Sequence, residues 1–199
     1  MISKNEIRLF YFLGGVTVGD EVIVRRATAE DASEIVAIYA PYVAETTISF
    51  EQQVPEVTEF AKRIADTLTD YPYYVTQDNK QNILGYAYAA AYNSRVCYNV
   101  TAEISIYVKK DIAHRGVGTA LYEVLEEQLK KQHVVNLLST IVAGNQQSKK
   151  FHIKQGFEKV GYFPHVGYKF DHWLDIIWMQ KTLQKNLYHP GDFISFSEF

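Results

Sequence analysis

The sequence predicts a single α/β domain built on a mixed sheet, and three observations carry that prediction. Val100 to Val108 alternates: Val100, Ala102, Ile104, Ile106 and Val108 are apolar, and Thr101, Glu103, Ser105 and Tyr107 are polar or amphipathic, as in a strand with one polar face. Arg115-Gly116-Val117-Gly118-Thr119 follows, and from Val117 the apolar residues Ala120, Leu121, Val124 and Leu125 recur at helical spacing. Along the chain, strand-like and helix-like runs take the order β-α-α-β-β-β-α-β-α-β-β, about seven strands flanked by about four helices.

Taken in order, Val22 to Arg26 is a short strand. Thr28 reads as an N-cap, with Asp31 three residues on, and Ile35, Ile38, Tyr39 and Tyr42 carry a helix to about Val43. Thr46 to Phe50 is β-rich. Pro55 opens a second helix with Val57, Phe60, Ile64 and Leu68 on one face. Tyr73 to Thr76 and Ile83 to Tyr92 form a hairpin around the polar turn Asp78 to Asn82. Asn93 to Asn99 is a polar loop. After the central strand, loop and helix, Val135 to Val142 is another strand. Asn145 starts a short helix that Gly156 ends as a left-handed stop. Phe157 to Tyr162 and Trp173 to Met179 are the last strands, joined by a loop containing Pro, Gly and His. The predicted organisation is an N-terminal extension over 1–21, a domain over 22–183 and a C-terminal tail over 184–199.

Composition bounds the function. The 199 residues suffice for one domain with a substantial core, and 47% hydrophobic with 22% charged residues is ordinary globular usage. Twenty basic and 23 acidic residues give a net charge of −3, so no nucleic-acid footprint is present. Cys97 is the only cysteine, which rules out an intrachain disulfide and makes a reducing cytoplasm the default. Ile7 to Val18 is apolar enough to suggest a signal core, but Arg8 interrupts it and no small-residue cleavage site is clear. It is also too short to span a bilayer, so an extra strand or arm lying on a partner subunit is expected. His165 and His172 lack strong metal-ligand spacing, so no metal is expected.

Gly116 and Gly118 have no β-carbon, so an anion can approach the backbone closely at a helix N-terminus, where free N–H groups and the helix dipole favour negative charge. The same Gly-x-Gly also fits a plain tight turn. The chain has no third glycine at dinucleotide-fold spacing and no Gly-Lys-Ser/Thr of a P-loop.

The order of elements resembles the GCN5-related N-acetyltransferase superfamily. Arg115-Gly116-Val117-Gly118 resembles its pyrophosphate loop, and Asn145-x-x-Ser148-x-x-x-His152-x-x-x-Gly156-Phe157 its next signature. Ile38-Tyr39-x-x-Tyr42-Val43, Thr46-Thr47-x-x-Phe50-Glu51, Arg95-x-x-Tyr98-x-x-Thr101-x-Glu103 and Gly167-Tyr168-Lys169 with Trp173-x-Asp175 resemble the phosphinothricin acetyltransferase branch. The resemblance covers about Val22 to Leu183. One position departs from it. The superfamily usually has Arg or Gln three residues before the first loop glycine, and here that residue is Ala113. A cradle of backbone amides does not depend on that side chain.

The resemblance implies acetyl transfer from acetyl-CoA to the primary amine of a small amino acid or analogue such as phosphinothricin or methionine sulfoximine. It implies that Ala113, His114, Arg115, Gly116, Val117, Gly118 and Thr119 hold the pyrophosphate. The backbone of Ile106, Tyr107 and Val108 then pairs with the pantetheine arm, with Asn145 and Ser148 beside it. Arg115 equally suits a solvated surface cation, and Asn145 a plain helix cap. Glu103 is implied as the general base, although a carboxylate is a poor base unless burial raises its pKa, and a salt bridge is its ordinary alternative. His152 stands where many members carry a tyrosine that acts as general acid; Tyr107 is another candidate donor. Phe50, Glu51, Arg95, Tyr98 and Lys169 are implied at the substrate, with Arg95 suited to a carboxylate or phosphinate. The resemblance also implies a homodimer. A peptide N-terminus or polyamine as acceptor, and a non-catalytic acyl-CoA-binding module, are the competing readings.

Overall fold

The computed structural model describes residues 6–9, 22–112, 116–184 and 190–199. The expectations for Ala113, His114 and Arg115, and for most of the N-terminal extension, lie outside them. Eight strands form one sheet in the order β1-β2-β3-β4-β5-β6-β8-β7. They are β1 (Glu6–Leu9), β2 (Val22–Arg26), β3 (Tyr73–Gln77), β4 (Ile83–Ala91), β5 (Thr101–Val108), β6 (Asn136–Val142), β7 (Glu158–Lys169) and β8 (His172–Thr182). The helices are α1 (Ala32–Glu45), α2 (Val57–Asp70), α3 (Val117–Lys131) and α4 (Gln146–Lys154). The seven strands and four helices read from the sequence are all present. The eighth strand comes from the N-terminal stretch, where Glu6–Leu9 pairs antiparallel with β2.

Every neighbouring pair is antiparallel except β5 and β6. A parallel pair needs a crossover, and α3 supplies it. Period-two burial on the central strands packs both faces of the sheet. Ile35, Ile38, Phe60 and Ile64 of α1 and α2 cover Tyr73, Val75 and Tyr86. Leu121, Leu125 and Leu129 of α3 cover Tyr74, Ala87 and Ile104 on the other face. Local signals place the helix ends. Asp31 accepts the Thr28 N–H at 2.8 Å, as a capping box requires, and Gly156 ends α4 with φ +87°. In the C-terminal tail, Phe196 is buried with the Arg26 guanidinium 4.3 Å above its ring, and Gln132 donates to the carbonyls of Asp70 and Ile194 at 2.7 and 2.8 Å.

The β-rich run after α1 stays outside the sheet, and one expectation is corrected. The β-rich stretch Thr46 to Phe50 forms no strand: Thr46 Oγ1 donates to the Tyr42 carbonyl at 2.6 Å and also accepts the Ile48 N–H, bending the chain off α1. The loop expected between the last two strands is strand as well. An irregularity between Phe163 and Gly167 absorbs Pro164 and His165, and Lys169 pairs with His172 around a two-residue turn. Phe170 and Asp171 hold φ +50° and +59° there, the geometry a tight hairpin demands.

Candidate active site

The site grows out of a defect in the sheet. β5 and β6 pair only over Thr101–Glu103 and Asn136–Leu138, then diverge although both strands continue. A cleft of about 720 Å³ opens between them, walled by Ile104 to Val108 on one side and Ser139 to Ile141 on the other. Lys109 donates to the Leu84 carbonyl at 2.9 Å, so Lys109 and Leu84 form a hydrogen-bonded pair across β4 and β5. Alternation then turns the backbone groups of Tyr107 toward β4 and those of Ile106 and Val108 toward the cleft. Tyr42 of α1 donates to the Val108 carbonyl at 2.5 Å, as that orientation requires.

The start of α3 forms the mouth of the cleft. Gly116 has φ +83°, a conformation that disfavours any residue with a β-carbon, and its carbonyl accepts the Ala120 N–H at 3.0 Å. The N–H groups of Val117, Gly118 and Thr119 precede the first helical bond and have no intrahelical acceptor, and all three residues line the cleft. A β-carbon at Gly118 would meet only ordinary contacts, the nearest being Phe151 at 3.6 Å.

The third wall is α4. Asn145 accepts the Ser148 N–H at 3.1 Å and is therefore a helix cap as well as a cleft residue. His152 is buried, its ring edge-on to Phe151 and Phe157. Its Nδ1 lies 2.8 Å from the Ser148 carbonyl, an acceptor, so Nδ1 carries the proton. Burial lowers the His152 pKa below the usual histidine value, with partial opposition from that hydrogen bond.

Glu103 sits where the strands part. Thr140 of β6 donates to Glu103 Oε1 at 2.6 Å across the gap. Register places Tyr88 and Tyr92 of the β4 end and Trp178 of β8 on the same sheet face, and Tyr92 stands edge-on to both Tyr98 and Trp178 at 5.4 Å. Tyr107 points to this face too, stacked at 5.3 Å on Tyr86 and edge-on to Tyr39 and Tyr42. Burial raises the Tyr107 pKa well above the ordinary phenol value.

The five residues expected at the substrate are not part of the cleft wall. Phe50 and Glu51 lie on the loop between α1 and α2. Phe50 covers Gly167, and Glu51 accepts from Arg63 at 2.7 Å and from Tyr39 at 3.2 Å. The Tyr39 pKa is pushed up to about 12, mainly by burial. Arg95 and Tyr98 are exposed on the loop after β4. Lys169 is the buried one of the five. It is 3% exposed, and its ammonium donates to the Val43 and Ser49 carbonyls at 2.7 and 2.8 Å. Sequence reasoning missed Thr140, Tyr92 and Trp178. The spacing of Tyr88 and Tyr92 was a visible signal for Tyr92, whereas sheet register alone brings Thr140 to Glu103 and Trp178 opposite Thr140. Among the described residues there is no group of three or more His, Cys, Asp and Glu able to hold a metal, and no helix long and apolar enough to cross a membrane.

Comparison with known proteins agrees with this geometry. A family model described as an acetyltransferase (GNAT) domain matches residues 24–178. A phosphinothricin N-acetyltransferase of Alcaligenes faecalis is 35% identical over 161 residues, 80% of this chain and 82% of that protein. An L-methionine sulfoximine/L-methionine sulfone acetyltransferase of Pseudomonas aeruginosa is 34% identical over 80% of this chain and 94% of that protein. Among solved structures, a GNAT superfamily phosphinothricin acetyltransferase from Sinorhizobium meliloti in complex with AcCoA superposes with a TM-score of 0.79. It is 30% identical and covers 83% of this chain and 90% of its own.

Proposed function

The chain belongs to the acetyltransferase (GNAT) domain family, and from that premise we propose that it transfers an acetyl group from acetyl-CoA to the primary amine of a small amino acid or analogue of the phosphinothricin or methionine sulfoximine kind. One observation carries the reading: the β5–β6 cleft is lined by the unpaired amides of α3 and by Thr140, whose hydroxyl holds the Glu103 carboxylate at 2.6 Å where the two strands part.

In this reading the N–H groups of Val117, Gly118 and Thr119 hold the diphosphate, supported by the helix dipole. The backbone groups of Ile106 and Val108 pair with the amides of the pantetheine arm as a strand would, which narrows the sequence expectation, because Tyr107 is committed to β4. Glu103 takes a proton from the acceptor ammonium, directly or through water, and the free amine attacks the thioester carbonyl. Thr140 fixes one Glu103 oxygen and leaves the other for that task. The carbon–sulfur bond then breaks, and the thiolate takes up the second proton that the attacking nitrogen sheds as the amide forms, directly or through water. His152 lines the cleft, but a buried neutral imidazole whose N–H is given to Ser148 is better suited to holding α4 in place than to supplying that proton. Arg95 is assigned to the acceptor's acid group, and Tyr98, edge-on to Tyr92 in the aromatic group that includes Trp178, to its side chain.

We assign the exposed hairpin of β7 and β8 to a second copy of the chain, since Tyr162, Phe163, Tyr168, Phe170 and Trp173 are each about half exposed or more. Sedimentation of the intact protein at the mass of one chain would remove that part. The exposed thiol of Cys97 suits a reducing, cytoplasmic setting. The test of the activity is thiol release from acetyl-CoA across a panel of small amino acids and analogues. Glu103→Gln is expected to lose roughly 10²- to 10⁴-fold in kcat with little change in the acetyl-CoA KM. Turnover with no member of the panel would end the reading.

A further inference from the structure

A buried cation is costly, so the position of Lys169 needs a cause. Its ammonium is surrounded by the Val43 carbonyl at 2.7 Å, the Ser49 carbonyl at 2.8 Å and the Phe170 ring, whose centroid lies 5.0 Å away. Val43 belongs to the last turn of α1, where carbonyls lack intrahelical donors and the helix dipole favours a positive charge. Ser49 belongs to the loop that leaves that helix. It is buried, its hydroxyl hydrogen-bonds that of Tyr39 at 2.7 Å, and it accepts the Glu51 N–H at 3.1 Å. The residues before Lys169 grip the same loop. Phe50 lies so close over Gly167 that a β-carbon there would stand 2.4 Å from the ring, and Gln52 Nε2 donates to the Tyr168 carbonyl at 3.4 Å. Three consecutive residues at the end of β7 thus hold Ser49, Phe50 and Gln52.

We propose that Lys169 is a positioning residue: from beneath, it clamps the α1–α2 loop that carries Phe50 and Glu51, so β7 sets the shape of the acceptor site without touching the acceptor. The proposal rests on the acetyltransferase reading and on the acceptor role that the sequence resemblance implies for Phe50 and Glu51; the clamp itself is independent of both. Two of the Lys169 donors are given to protein carbonyls and the Phe170 ring lies over the ammonium, so its influence on the acceptor passes through the loop.

The experiment compares the intact protein with Lys169→Met, which removes the charge and keeps the length of the stem. Amide hydrogen exchange over residues 46–52 should quicken by about tenfold or more, with β5 and α3 unchanged. The KM for the amine should rise by about tenfold, while the acetyl-CoA KM stays within about twofold. In a Phe50→Ala background, Lys169→Met should add less than about twofold to the amine KM, because the two residues act through one loop. Unchanged loop exchange would overturn the clamp. A loosened loop with an unchanged amine KM would reduce it to a structural tie, and full additivity with Phe50→Ala would mean direct contact with the acceptor. If the wild type turns over no amine, the acetyltransferase reading fails and the exchange result still decides the clamp. If Lys169→Met does not fold, Lys169→Arg keeps the charge but cannot place both bonds in the same geometry, and it is read by the same measurements.

Discussion

At the start of α3 the groups facing the cleft are backbone amides, whereas between α1 and α2 side chains hold one another. The first region needs Gly116 at φ +83° and little else from its side chains. The second needs Tyr39, Ser49, Glu51, Arg63 and Lys169 together, because each satisfies a polar group on another. A backbone cradle keeps its chemistry through most substitutions and fails at its glycines. A side-chain network degrades at any member, and the cost is shared among the rest.

The two glycines of the cradle separate folding from binding, and they carry the largest expected effect. Gly116→Ala forces an alanine into the left-handed region and costs about 1–2 kcal/mol, which in a domain of this size lowers Tm by about 2–4 °C per kcal/mol. Gly118→Ala meets no obstacle in the protein and sits inside a helix, so Tm should hold or rise slightly. Its methyl group enters the cleft, where losing one charge-assisted hydrogen bond to the diphosphate, worth about 1.5–3 kcal/mol, would raise the acetyl-CoA KM by roughly 10- to 100-fold. An unchanged acetyl-CoA KM in Gly118→Ala would show that the amides are not the holder and would break the comparison.

The acceptor side should give the mirror image at smaller size. Gly167→Ala drives a β-carbon into the Phe50 ring, and the overpacking costs about 1–3 kcal/mol unless Phe50 swings away. Displacing Phe50 should raise the amine KM on the order of tenfold and leave the acetyl-CoA KM alone. Separate titration of the two substrates checks this. Equal effects on both would mean that the regions are not independent.

The same contrast explains what could be read from the chain. The strand, glycine loop and helix of 100–125 are local: period two, two glycines and period 3.6 fall within one stretch, and the structure places the strand, and the helix from its cap at Gly116, as the sequence predicts. The seven main strands were legible for the same reason. The clamp was not, because it joins Lys169 to carbonyls 126 and 120 residues away, and a carbonyl leaves no mark in sequence. Thr140 escaped likewise, since its bond to Glu103 depends on where β5 and β6 cease to pair. The extended β7–β8 hairpin was hidden by Pro164, Gly167 and His165, residues that usually signal a loop and here sit at an irregularity in the ladder.

His152 sharpens the comparison with the smallest effect, because it belongs to the cradle side yet was expected to act as a side chain. If it is a neutral support, its folded pKa lies below the unfolded value of about 6.5. Between those two values the unfolded chain binds more protons than the folded one, so stability rises with pH and is lost as pH falls below about 6.5. The contribution to the slope is at most about 1.4 kcal/mol per pH unit. Denaturant unfolding from pH 7.5 down to 5 should show this slope in the wild type, and it should flatten in His152→Asn, which can still donate to the Ser148 carbonyl. A charged acid stabilised in the cleft would reverse the sign, with the wild type gaining stability over the variant as pH falls. That result would restore His152 as the proton donor and place one working side chain on the side of the cleft otherwise built from backbone.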